Sequence, residues 1–257
     1  MIIHTKELEQ ILSDPNLVLI DARSFKEYSA GHIPGAVNLD LFAFHWMDTS
    51  KAGIAAFNAQ TVDLFSSVGI SNEKKVVFYD DVSGMLAARG VWELLYFSHP
   101  QVFMLEGGLS KWKSENLPIE TKPNEFKPAK FSGTINEDLL AGFEYIKDNL
   151  DKLKIVDARS KEEYDGTVVR AAKRGHIPGS INIDWILNLT NNGTFKNDEE
   201  LSSLYQFSKD DEIVTYCHGA YRAANTFVAL KKIGFEKVRV YLGSWGEWGN
   251  RSGLPVE

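Results

Sequence analysis

Residues 17–40 read LVLIDARSFKEYSAGHIPGAVNLD, and residues 153–184 read LKIVDARSKEEYDGTVVRAAKRGHIPGSINID. The second stretch repeats the first: Asp21 matches Asp157 at an offset of 136, and Gly31 matches Gly175 at an offset of 144. The second copy therefore carries eight extra residues, in or near TVVRAAKR. Three more blocks match in the same order. KVVFYDD (75–81) pairs with EIVTYCH (212–218), LEGGLSKW (105–112) with YLGSWGEW (241–248), and LPIE (117–120) with LPVE (254–257). Collinear matches over nearly the whole chain define a tandem duplication. The joint lies in TKPNEFKPAKFSG (121–133), where Pro123, Pro128 and Gly133 and the lack of apolar periodicity mark a linker. The expected domains are residues 1–120 and 134–257.

Each copy alternates short β-branched runs with helical patterns. In the first, VLIDAR leads to a short helix, VNLD to an amphipathic helix, KVVFYD to a helix through Met85–Tyr96, and QVFML to a last helix from Leu109. Runs buried on both faces and separated by helices predict parallel strands joined by crossovers. The fold class is thus α/β, with two open, mainly parallel sheets flanked by helices. Such sheets bind ligands beyond the carboxyl ends of their strands, in the strand-to-helix loops.

Composition narrows the function. Of 257 residues, 44% are hydrophobic and 25% charged, as in ordinary globular proteins. No stretch reaches the ~18 apolar residues of a membrane span. Lys+Arg 28 against Asp+Glu 35 gives a net charge of -7, which argues against nucleic acid and leaves no polybasic membrane patch. The N-terminal MIIHTKELEQILSDPN has no long apolar core of a targeting signal, so a cytoplasmic location is expected. A single cysteine, Cys217, excludes internal disulfides, CxxC pairs and Cys-rich zinc sites.

Cys217 follows the run EIVTY and opens the loop Cys217-His218-Gly219-Ala220-Tyr221-Arg222, ahead of the helical stretch AANTFVALKKIG. A thiol at a strand end and a helix N-terminus faces backbone N–H groups and the positive end of a dipole, a field that favours the thiolate. Arg222 adds a fixed charge and a planar donor fork. Gly219 is the residue expected to take a positive φ as the loop curls. The bland reading, a cysteine packed beneath the sheet, leaves the following arginine without a role.

The two DAR…EY…GHIPG…N copies, the strand-end cysteine loop and the terminal GSWGEWGN…LPVE together resemble the tandem-domain rhodaneses, the thiosulfate and 3-mercaptopyruvate sulfurtransferases. The resemblance spans roughly residues 5–257. It implies two rhodanese-like domains, with catalysis in the C-terminal one. Cys217 would be the nucleophile that carries a persulfide, residues 218–222 its active-site loop, and no metal or organic cofactor would be needed. The partners implied are a small anionic sulfur donor and an acceptor, cyanide or a small or protein thiol; a monomer suffices. Aligning YDD with YCH sets Asp80 opposite Cys217, so the first copy should be silent.

CHGAYR departs from both usual loops of that family, C-R-K/R-G-V-T for thiosulfate and C-G-S/A-G-V-T for 3-mercaptopyruvate. The terminal cation favours thiosulfate. Where relatives often place an arginine before the aromatic of DARxxxRY, this chain has Glu163 before Tyr164. Substrate arginines are therefore sought in the insertion, at Arg170 and Arg174 beside Lys173, with a solvated charged face as the alternative. His218 either raises the local positive charge or faces solvent. The repeated His32 and His176 read as turn holders, Asp21/Arg23 and Asp157/Arg159 as structural pairs, and Trp112, Trp245 and Trp248 as core. Two other functions are kept open: a persulfide carrier or regulatory module serving a protein partner, and a Cys-dependent phosphatase. The phosphatase loop is C-x5-R, and this one is a residue short.

Overall fold

The computed structural model describes residues 1–257. Residues 1–45, 57–136 and 189–195 form one compact unit, and residues 46–56, 137–188 and 196–257 form the other. A short piece of each half of the chain thus belongs to the unit built mainly from the other half.

In the first unit the strands are β1 (Ile2–Ile3), β2 (Leu17–Asp21), β3 (Val37–Asn38), β4 (Lys75–Tyr79) and β5 (Val102–Leu105), ordered β1-β5-β4-β2-β3 and paired in parallel throughout. In the second they are β6 (Leu140–Ala141), β7 (Lys154–Asp157), β8 (Ile181–Asn182), β9 (Ile213–Tyr216) and β10 (Val238–Tyr241), ordered β6-β10-β9-β7-β8, again all parallel. The central strands are buried on both faces, which is why their sequences read as continuous apolar runs. Both sheets fit the expected open α/β architecture.

The helices of the first half are α1 (Thr5–Ile11), α2 (Phe25–Ala30), α3 (Lys51–Ser67), α4 (Met85–Tyr96) and α5 (Gly108–Ser114); those of the second are α6 (Phe143–Asp148), α7 (Lys161–Tyr164), α8 (Asp198–Leu204), α9 (Tyr221–Lys232) and α10 (Ser244–Trp248). The duplication is imperfect between the third and fourth strands of each copy. The long α3 has only the seven-residue α8 as its counterpart, because residues 185–197 form a 3-10 turn and a small loop closed by a Leu189–Phe195 bridge. Asn-Asn-Gly at 191–193 supplies that turn, with Gly193 at φ +74.

The repeated motifs hold equivalent places. Arg23 Nη2 donates to Asp21 at 2.6 Å and to the Gly31 carbonyl at 2.9 Å; Arg159 Nη2 donates to Asp157 at 2.6 Å and to the Gly175 carbonyl at 2.8 Å. His32 stacks on Tyr28 at 3.7 Å and His176 on Tyr164 at 3.6 Å, each ring nitrogen meeting that tyrosine's carbonyl. Trp112 and Trp248 donate to the carbonyls of Pro118 and Pro255, both at 2.7 Å. These residues are the frame of each domain. No helix is long and apolar enough to cross a membrane.

Candidate active site

Tyr216 ends β9 in register with Asp157 of β7, so Cys217 emerges at the carboxyl edge of the sheet, beside the structural Asp157–Arg159 pair. Four residues, 217–220, separate the strand from the first turn of α9. Cys217 is buried, with 1% of its surface exposed.

The left-handed residue of the loop is Ala220, at φ +68, and not Gly219. Ala220 is the residue just before α9, and the chain must reverse there to enter the helix. A Cβ-bearing residue in that conformation is strained, and such strain persists only where surrounding contacts fix it. The contact is Ser244. Its hydroxyl accepts from the N–H of Cys217 at 3.2 Å and from the N–H of Ala220 at 3.1 Å, and donates to the Tyr241 carbonyl at 2.8 Å. Ser244 is itself left-handed, at φ +51. The next two N–H groups, of Trp245 and Gly246, donate to the carbonyls of Cys217 and His218, both at 2.9 Å. The β10–α10 turn therefore clamps the nucleophile loop from one side. Sequence reasoning passed over Ser244, yet the signal was present: in the alignment of LEGGLSKW with YLGSWGEW, Ser244 replaces Gly108, which has φ +55.

Arg222 lies one residue inside α9, close enough to Cys217 for its guanidinium charge to interact with the thiol. It also forms a two-pronged pair with Glu163, Nη1 to Oε2 at 2.5 Å and Nη2 to Oε1 at 3.1 Å. Burial works against the arginine's charge, but Glu163 and Cys217 outweigh it, and its pKa is raised. Burial would likewise lift Glu163, but the hydrogen bonds and charge of Arg222, with Arg170 behind it, hold the carboxyl below its ordinary value. Both groups are ionised at neutral pH. Asp184 is raised by burial, against the pull of the Ile186 N–H and the charge of Arg222.

The other expected site residues divide. Arg170 approaches Glu163 at 3.6 Å with 58% of its side chain exposed, whereas Arg174 is exposed on the insertion. Lys173 is structural: its ammonium donates to the carbonyls of Arg251 and Leu254. His218 is half-buried rather than directed fully into solvent. Gly219 and Tyr221 are buried. Trp245 is core, as expected, with the Arg159 guanidinium 4.6 Å from its ring centroid, so Arg159 braces the loop through the residue that holds the Cys217 carbonyl.

The site thus presents one buried thiol at the mouth of a helix, a guanidinium near it, and a carboxylate fixing that guanidinium. The rhodanese-like domain model matches residues 4–115 and again residues 143–251. The chain is a tandem-domain sulfurtransferase of the rhodanese-like family. This sulfurtransferase is 32% identical to the thiosulfate sulfurtransferase of Pseudomonas aeruginosa, over all of this chain and 97% of the relative. It is 31% identical to the sulfur carrier protein TtuD of Thermus thermophilus, over all of this chain and 96% of that one. A crystal structure of the 3-mercaptopyruvate sulfotransferase SseA from Escherichia coli superposes with a TM-score of 0.79 at 27% identity, covering 95% of this chain and 98% of that one.

Proposed function

We propose that the sulfurtransferase moves a sulfane sulfur from thiosulfate to a thiol or to cyanide through a persulfide on Cys217, with residues 134–257 carrying the chemistry. The observation that carries this reading is the only thiol of the chain, buried between the end of β9 and the start of α9, with the charge of Arg222 near it. Full-length relatives named thiosulfate sulfurtransferase support the donor.

In the first half-reaction the Cys217 thiolate attacks the outer sulfur of thiosulfate. A new S–S bond forms, the donor's S–S bond breaks, and its electron pair departs with sulfite. In the second, the acceptor attacks the outer sulfur of the persulfide, and the electron pair of the broken bond restores the thiolate. No net oxidant or reductant is consumed. Arg222 steadies negative charge on the sulfur in both directions, and Ser244 keeps the loop in the geometry that presents it.

Exposure to thiosulfate should add one sulfur atom, about 32 Da, to Cys217, and cyanide should remove it. Failure to form the adduct with either thiosulfate or 3-mercaptopyruvate would overturn the reading. A second reading, a persulfide carrier that delivers to a protein thiol, is favoured by the likeness to a sulfur carrier protein and by the burial of Cys217. It predicts the same adduct but slow turnover with every small acceptor.

A further inference from the structure

Glu163 has a structural role that its repeat partner shares. In α2, Glu27 closes a capping box with Ser24; in α7, Glu163 closes the same box with Ser160. The cap accounts for the presence of an acid at this position in both copies, but not for what differs between them. Glu27 is exposed, whereas Glu163 is 4% exposed and gives both carboxylate oxygens to Arg222. Only the copy that carries the cysteine turns its capping acid inward onto a cation whose charge acts on the thiol.

The electrostatic consequence follows from charge arithmetic. An unpaired guanidinium beside the thiol would present a full positive charge to an incoming donor, whereas the Arg222–Glu163 pair presents a dipole with little net charge. Arg170, at 3.6 Å from Glu163, restores only part of that charge because it is largely in water. We propose that Glu163 is a specificity-determining and positioning residue: it fixes Arg222 against Cys217 and cancels its charge, so the site gives a dianionic donor little advantage over a monoanionic one. This rests on the sulfur-transfer reading above and deepens it.

The test uses the full chain and two donors, dianionic thiosulfate and monoanionic 3-mercaptopyruvate. Glu163→Gln keeps the cap, since a capping box accepts Glu or Gln, and removes the charge. It should lower KM for thiosulfate more than for 3-mercaptopyruvate, shifting the ratio of the two by roughly 3- to 10-fold, as expected for one unit charge several ångströms away in a partly solvated site. The matching Glu27→Gln should leave the ratio unchanged. The double variant Glu163→Gln/Arg222→Gln restores the charge balance and should bring the ratio back toward the wild-type value, although kcat falls. A purely structural role would lower thermal stability and leave the ratio unmoved, and that result would overturn the proposal. If Glu163→Gln does not fold, Arg222→Gln alone reads the same charge with opposite sign: it must raise the thiosulfate KM more than that of 3-mercaptopyruvate, and an unchanged ratio refutes the proposal. If wild-type protein forms no Cys217 adduct, the sulfur-transfer reading fails instead, so the two failures are distinct.

Discussion

The loop after β4 and the loop after β9 begin at equivalent places, each one residue beyond a tyrosine in register with the DAR aspartate. What they do with the field of the following helix is opposite. In the first, the Asp80 carboxylate bends back into its own loop and accepts the N–H groups of Val82 at 3.3 Å, Gly84 at 3.1 Å, Leu86 at 2.9 Å and Ala87 at 3.1 Å. The anion cradle is filled from within. In the second, Cys217 carries no such oxygens, the Cys217 and Ala220 N–H groups go to Ser244, and the charge that meets the side chain comes from Arg222. The first copy saturates its loop with a carboxylate of its own, while the second places there the thiol that the proposed reaction would charge, sulfurate and discharge.

The largest effect expected follows from that difference. Cys217→Ser should abolish persulfide formation and reduce sulfur transfer by about 10³-fold or more, because an alkoxide is not accessible at neutral pH. Any sulfur that remained on the first copy in that variant would break the contrast, since a carboxylate cannot hold sulfane sulfur.

Asp80→Asn should show the structural side of the comparison. An amide nitrogen would face N–H donors that the carboxylate now satisfies, at a cost of about 2–4 kcal/mol in a denaturant titration, with sulfur transfer changed less than about twofold. The pH dependence sharpens this. Burial outweighs the four amide donors and pushes Asp80 up to about 6, from 3.8. Between those values the folded state binds more protons, so the stability contributed by this group is full below about 4 and falls as pH rises to about 6. Glu163 runs the other way, because Arg222 lowers it: its contribution is present above the ordinary carboxylate range and is lost as pH falls through its folded value. Asp80→Asn should therefore remove a decline in stability between pH 4 and 6, and an unchanged profile would refute the assignment.

Ser244 gives a smaller, kinetic effect. Ser244→Ala leaves a left-handed Cβ and deprives two loop N–H groups of their acceptor; Ser244→Gly relieves the strain and loses the same bonds. If the hydroxyl positions the loop, both should lower kcat by about 10-fold, with Gly the more stable of the two. If only Ala is impaired, strain and not hydrogen bonding is the cause.

The fold was legible because it is written twice. Asp21 and Asp157, Tyr28 and Tyr164, Trp112 and Trp248 sit in matched surroundings, and a pair of aligned copies shows which residues serve the frame. Cys217 was legible for the complementary reason, as the point where the copies disagree in chemistry. What escaped were long-range contacts between residues ordinary in themselves. Glu163 announces a helix cap in one dimension, and only the folding of α7 against the start of α9 brings it onto Arg222. Ser244 stands 27 positions from Cys217, and the place of the left-handed turn at Ala220 depends on it, so the presence of Gly219 was a misleading local cue.

The eight-residue insertion is the last place where the copies differ, and it sets the smallest expected effect. Arg170 lies close enough to Glu163 to add positive charge near the site, but more than half of its side chain is in water, where such charges are screened and worth little. Arg170→Ala should raise the thiosulfate KM by only about two- to threefold, and the effect should fade in high salt. Arg174 projects into solvent from the same segment, and Arg174→Ala should change KM by less than about 1.5-fold. A tenfold loss at Arg174 would mean that the insertion carries the donor's anionic group after all, and that the second copy owes its activity to the added segment as much as to replacing a carboxylate by a thiol.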